Sequence, residues 1–227
     1  MDTQESDPRD RKQYYLYDTR FRRSMVALLT GLSRPFMKLD VRGLEHLPLE
    51  GAVVLTANHV THFDVIPMQI SLPRPIFYMG KAELFKVGIV DAVFRRMGAF
   101  PVHRGEKDQW AMCHAARVLE HGQVLGMFPE GTRSQGRGLG VAKTGAARLA
   151  IDAHCPIVPM ALVGSDRFFS QFPRPNPVTV SLLPPVLPTA DDTPLSLTDR
   201  VMFSLASALP ADMRGVYAEM PKGFKIQ

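Results

Sequence analysis

Cysteine is scarce: Cys113 and Cys155 lie far apart and form no C-x-x-C pair. That excludes a disulfide framework or a zinc ribbon as the basis of the fold and favours a reducing, cytosolic setting. No apolar run approaches the roughly 20 residues needed to cross a bilayer. The opening MDTQESDPRD is acidic and polar, without the apolar stretch of a secretory signal, so neither secretion nor membrane spanning is expected. Internal repeats and low-complexity tracts are missing. So is a G-x-S-x-G elbow, and with it any suggestion of a serine acyl-enzyme. GLGVAKTG (138–145) does not make a nucleotide loop, because G-x-x-x-x-G-K-[ST] requires glycines where Arg137 and Ala142 stand.

The 227 residues are 45% hydrophobic, enough to bury the core of one domain. The net charge of +5 is unevenly placed. Between Arg9 and Lys38 eight Lys and Arg face two acids, a local +6, and the rest of the chain sums to −1. In that segment Tyr14, Tyr17, Phe21, Met25, Leu28, Leu29, Leu32, Phe36 and Met37 recur at helical spacing between arginines. One or two basic amphipathic helices over residues 1–38 are expected. They suit the interface of an anionic membrane, where apolar burial and headgroup attraction add. Packing on the chain's own domain and nucleic acid are the rival uses of such a face.

From Leu39 onward, apolar runs at 52–57, 76–79, 99–103, 123–128, 157–163 and 177–183 alternate with helical patterns at 64–72, 82–97, 107–121, 142–153 and 195–209. This alternation predicts a single α/β domain over 39–227 with a mostly parallel central sheet flanked by helices. Pro173, Pro175, Pro177, Pro184, Pro185 and Pro188 predict loops and edge strands near the end. In open α/β sheets, sites gather at the carboxyl ends of strands. Asn58–Asp64, His103–Arg104 and Phe128–Arg133 each follow a strand candidate, so one crevice can hold all three.

NHVTHFD (58–64) is the densest of these clusters. His59 and Asp64 would point about 140° apart on a regular helix, so their contact requires a turn. A loop from strand into helix supplies one, leaving His59 Nε2 free as a base while Asp64 holds Nδ1. A capped polar turn with a hydrogen-bonded histidine accounts for the same letters. His59 and His62 lie three apart, and His62-Phe-Asp64 has the H-x-D spacing of a non-haem iron facial triad, but that site needs a further distal histidine and a β-rich barrel that the α/β pattern does not supply. FPEGTRSQGRG (128–138) combines an open glycine-rich backbone with Glu130, Arg133 and Arg137. An arginine fork suits phosphate, though a solvated Glu130–Arg133 pair would look alike.

In this order and at these separations, NHVTHFD, GAFPVHRG, FPEGTRS and IVPMAL resemble the four blocks of the 1-acylglycerol-3-phosphate O-acyltransferase family of glycerolipid synthesis. KAELFK, AKTGAARLA and LPADMRGVY agree, and the likeness covers about residues 36–220. The resemblance implies a glycerol-3-phosphate acyltransferase-like fold and acyl transfer from acyl-CoA or acyl carrier protein to a lysophospholipid hydroxyl, with no cofactor and no metal. It makes His59 the general base and Asp64 its orienting partner. Glu130, Gly131, Thr132 and Arg133 fall on the block that binds the phosphate-bearing acceptor; Arg104 and Lys81 add positive charge, and Pro159 matches the fourth block. An anionic membrane surface, rather than nucleic acid, becomes the partner of residues 1–38, placing the protein peripherally or monotopically on the cytoplasmic face. His103 stands where an acid is common, which bears on the choice of acceptor. Another lysophospholipid or a glycolipid is the alternative acceptor; an inactive lipid-binding adaptor and a non-haem iron enzyme are the rivals from other classes. His62 is a neighbour of the site, His46, His114, His121 and His154 structural or surface residues, and both cysteines buried small apolar groups.

Overall fold

Seven short stretches of alternating or continuous apolar residues pair into one sheet: β1 (Met37–Arg42), β2 (Val53–Ala57), β3 (Ile76–Lys81), β4 (Ala99–Val102), β5 (Val124–Met127), β6 (Ile157–Val163) and β7 (Asn176–Leu182). This computed structural model describes residues 7–105, 107–167 and 170–226. Residues 1–6 of the acidic start MDTQESDPRD therefore lie outside the described residues. The strand order is β1-β7-β6-β2-β5-β3-β4. Neighbours run parallel except β6 and β7, so β1 and β7 point against the other five. This is the expected α/β domain with a mostly parallel sheet.

The helices α1 (Arg20–Ser33), α2 (Val65–Ser71), α3 (Gly88–Arg96), α4 (Gln109–Glu120), α5 (Gly145–Asp152) and α6 (Pro194–Ser207) flank it. β2 is buried along its whole length because both its faces are covered. Val54 faces the layer of α4, α5 and α6, while Val53, Leu55 and Ala57 face Met68 of α2. Gly126 on β5 lets the Tyr78 ring lie flat on the sheet: a Cβ there would sit 2.8 Å from that ring. Alanine at 126 would cost about 1–3 kcal/mol through overpacking.

Three expectations are corrected. β1 was not foreseen; Met37 lies in it and Phe36 just before it, because Pro35 follows the end of α1 and M-K-L-D-V-R alternates in burial against β7. β7 holds Pro177 yet is second from the edge, between β1 and β6; Asn176 N donates toward β1, so the Pro177 nitrogen faces the β6 side, where pairing begins only at Thr179. Cys155 is buried as expected, but Cys113 is exposed on the solvent side of α4.

Among its described residues the N-terminal segment contains one α-helix. Before it, residues 7–17 strap the domain. Arg9 forms two hydrogen bonds to Asp108, at 2.6 and 2.9 Å, and lies 4.3 Å over the Trp110 ring. Lys12 pairs with Asp91 at 3.0 Å, Trp110 donates to Asp10, and Leu16 enters the core. Thr19 caps α1 by accepting from Arg22 N. The helix turns its polar side inward: Arg22 and Ser33 are buried, while Phe21, Leu28 and Leu32 are exposed.

Candidate active site

The carboxyl end of β2 runs into a turn that the sequence builds from Thr61 and Asp64. Thr61 Oγ1 accepts from Phe63 N, and the Asp64 carboxylate accepts from Thr61 N, a capping box that starts the helical turn before α2. The same carboxylate reaches back to the strand end, as the five-residue spacing demands. His59 Nδ1 lies 2.8 Å from Asp64 Oδ2, which also accepts from Val60 N at 2.6 Å and Thr61 N at 2.9 Å. Asp64 Oδ1 accepts the Ser165 hydroxyl at 2.6 Å. Asp64 is fully buried, and its donors match an ionised carboxylate, so Nδ1 carries the imidazole proton and Nε2 is left as the basic nitrogen.

The loop after β5 closes over this turn. Glu130 Oε1 accepts from His59 N and Oε2 from Gly140 N, each at 3.0 Å. Ser134 N donates to His59 O at 2.7 Å. Burial pushes the Glu130 carboxyl above the ordinary carboxylate range, against the pull of its two backbone donors. Glu130 thus ties two loops together from inside. The Phe128 ring stacks on His59 with centroids 4.0 Å apart, and the Asn58 side chain exchanges two hydrogen bonds with the Leu162 backbone.

Arg133 Nη1 meets His62 Nε2, joining the first cluster to the second. Gly131 has φ +70°, and a Cβ there would come within 3.1 Å of the Lys143 side chain. Thr132 is exposed beside it. The structure therefore assembles His59, Asp64, Glu130, Gly131, Thr132 and Arg133. Lys81 and Arg104 stand apart, two and three strands along the same edge; Lys81 pairs with Glu83 at 3.2 Å, and Arg104 is exposed beyond β4. A cavity of about 460 Å³ borders Asn58, Val60, Glu130 and Asp166, within the range of small-molecule sites.

Sequence reasoning missed Ser165, Phe128 as a stacking partner, and Lys143. The available signal for Ser165 was its place directly beyond the carboxyl end of a strand. As for iron, Asp64 has both oxygens engaged by His59, Val60, Thr61 and Ser165, and His62 turns to Arg133. Among the described residues, no group of three His, Cys, Asp or Glu is placed to hold a metal.

A family model described as Acyltransferase matches residues 38–163. The chain is 30% identical over 201 residues to the human 1-acyl-sn-glycerol-3-phosphate acyltransferase alpha, covering 82% of this chain and 71% of that protein. It is 34% identical over 128 residues to the 1-acyl-sn-glycerol-3-phosphate acyltransferase of Bacillus subtilis, covering 56% and 63%. To a chloroplastic 1-acyl-sn-glycerol-3-phosphate acyltransferase of Brassica napus it is 29% identical over 155 residues. The chain spans 45% of that Brassica protein and 54% of a Borreliella burgdorferi relative. Its fold is like that of the 1-acyl-sn-glycerophosphate acyltransferase PlsC from Thermotoga maritima, with a TM-score of 0.67 at 21% identity over 81% of this chain and 78% of that one.

Proposed function

The chain belongs to the Acyltransferase family, and from that premise we propose that it transfers a fatty acyl group from a thioester donor to the free hydroxyl of 1-acylglycerol 3-phosphate, giving phosphatidic acid. The observation that carries this reading is the 2.8 Å contact of His59 Nδ1 with buried Asp64. It fixes one tautomer and turns Nε2 into the base. As the acceptor hydroxyl attacks the thioester carbonyl, its proton passes to Nε2, and Asp64 stabilises the imidazolium that forms. Collapse of the tetrahedral intermediate breaks the C–S bond. The proton on Nε2 then reaches the departing thiolate, so the step balances without a covalent enzyme intermediate.

Arg133, beside His62, offers the acceptor phosphate a planar fork of donors, with Lys81 and Arg104 adding charge along the edge. Gly131 and Thr132 bring backbone close to the same phosphate. Glu130 serves this reading by holding His59 and the Gly140 loop in register. The donor is acyl-CoA or acyl carrier protein, and neither chemistry calls for a metal or cofactor. Purified protein incubated with acyl-CoA and a panel of acceptors tests the assignment. Turnover of lysophosphatidic acid supports it, whereas turnover of a different lysophospholipid or a glycolipid alone moves the acceptor. Loss of all turnover in His59→Ala separates an enzyme from a lipid-binding adaptor.

An acceptor of this kind resides in a bilayer, and no helix among the described residues is long and apolar enough to cross one. The outward apolar stripe of α1, with Arg20 and Arg23 beside it, supports attachment to an anionic cytoplasmic leaflet.

A further inference from the structure

The connection that leaves β3 exposes three large apolar side chains within six residues: Leu84 at 50%, Val87 at 60% and Ile89 at 81% exposure. Single exposed apolar residues are ordinary, but a cluster this close calls for a partner. Its charge setting is cationic. Lys81 precedes it, Lys86 lies within it, and Arg104 follows β4, whose Val102 pairs in register with Lys81. Of the nearby acids, Glu83 is paired with Lys81 at 3.2 Å, and Asp91 is buried between Lys12 and Arg95.

Its position within the fold favours a lipid surface over a protein partner. The crossovers β2–α2–β3 and β3–α3–β4 step in the same direction through the sheet, so right-handed connections place α2 and α3 on one face. α1 lies against α2, and the Arg96 guanidinium of α3 sits 5.9 Å from the Phe21 ring of α1. That face therefore carries the outward stripe of α1 and the Leu84–Ile89 cluster together. Val65, the exposed first residue of α2, follows Asp64 directly and links this face to the catalytic turn.

We propose that Leu84, Val87 and Ile89 form a second membrane-insertion element that seats this face, with α1, on an anionic bilayer. Its site is the rim between α1 and the carboxyl edge of the sheet, and its ligand is the acyl–headgroup boundary of the leaflet. In this seating Lys86 and Arg104 meet headgroup phosphates. The purpose of the seating rests on the acyltransfer reading; the binding itself does not.

Sedimentation of the full chain with vesicles of phosphatidylcholine, with and without phosphatidylglycerol, tests it without turnover. Val87→Asp with Ile89→Asp is expected to lower partition onto anionic vesicles about tenfold or more, with thermal unfolding unchanged because both side chains stand in solvent. A polarity-sensitive dye on Ile89→Cys, in a Cys113→Ser background, is expected to shift to the blue when anionic vesicles are added. Wild-type partition in the double aspartate variant, or a dye that stays in a water-like environment while the protein is bound, overturns the proposal. Failure of the wild-type chain to bind anionic vesicles overturns it too, as does a dimer that the aspartates dissociate while vesicle binding persists. An acceptor screen without turnover, combined with vesicle binding that depends on Val87 and Ile89, would sink the acyltransfer reading and leave this one standing.

Discussion

The Ser165 hydroxyl reaches across 101 residues of sequence to donate to Asp64 Oδ1 at 2.6 Å. Both groups are fully buried, and Ser165 belongs to the turn that follows β6. The His59–Asp64 turn after β2 is therefore held from a neighbouring strand as well as from within. Ser165→Ala removes a charge-assisted donor and leaves Asp64 Oδ1, among the described residues, with only the long 3.4 Å contact to Thr61 Oγ1. A loss of about 1–3 kcal/mol in unfolding free energy is expected from urea denaturation. Ser165 touches no reacting atom and acts by positioning Asp64, so kcat should fall by about tenfold with KM nearly constant.

Asp64→Asn tests the tautomer. The carboxylate accepts from Val60 N, Thr61 N and His59 Nδ1 on one oxygen, so an amide there must either turn its NH2 against three donors or present its single oxygen to them and its NH2 to Ser165. In either case it no longer stabilises an imidazolium. A loss in kcat of about three to four orders of magnitude is expected, close to that of His59→Ala, with a far-UV spectrum like that of the wild type. Equal turnover in Asp64→Asn and wild type would reject the proposed base.

Much of this site was visible in the letters. His59 to Asp64 demanded a turn, and Thr61 with Asp64 provides one through a local capping box. The buried runs of β2, β5 and β6 stood out because both faces of a central strand are covered. The place of Ser165 beyond a strand end was legible but its partner was not, since that is set by the pairing of β2 with β6 and by nothing local. β1 was obscured because Phe36 and Met37 prolong the apolar series of α1 across Pro35. The direction of α1 was also hidden: helical periodicity defines an apolar stripe but not whether it faces the core. Here Arg22 faces in and Leu28 faces out.

His114 makes acid lability specific. It is enclosed by Trp110, Phe100 and Tyr14, with ring centroids 5.1, 4.5 and 5.1 Å away. Burial, helped by the Arg117 charge, pushes its pKa down from 6.5 to about 4. The unfolded chain then binds a proton that the native state refuses, so the stability due to neutral His114 is complete above pH 6.5 and is lost as pH falls toward 4. Asp108, held down to about 2 with Arg9 as its principal partner, loses its contribution only below its ordinary value of 3.8. His114→Phe should therefore flatten the dependence of the urea midpoint on pH between 6.5 and 4 and leave the steeper loss below pH 4 in place. A slope in the upper window equal to that of the wild type would show that another group titrates there.

Arg22 gives the opposite kind of prediction. Its Nη1 lies 3.1 Å from Asp18 Oδ1, but Nε and Nη2 are buried without a hydrogen-bond partner among the described residues, as is the Tyr78 hydroxyl whose pKa burial raises. A guanidinium in that position gives up hydration without recovering it in hydrogen bonds, and an apolar side chain of similar length does not. Arg22→Met should leave stability unchanged or raise it by about 1–2 kcal/mol, whereas Arg22→Ala should lower it by opening a cavity under α1. Because Phe21, Leu28 and Leu32 keep their outward positions, vesicle binding of Arg22→Met should match the wild type. A fall in stability for Arg22→Met, measured by urea unfolding, would mean that the two nitrogens hold α1 in place and that the inward polar side of this helix is an attachment rather than a strain.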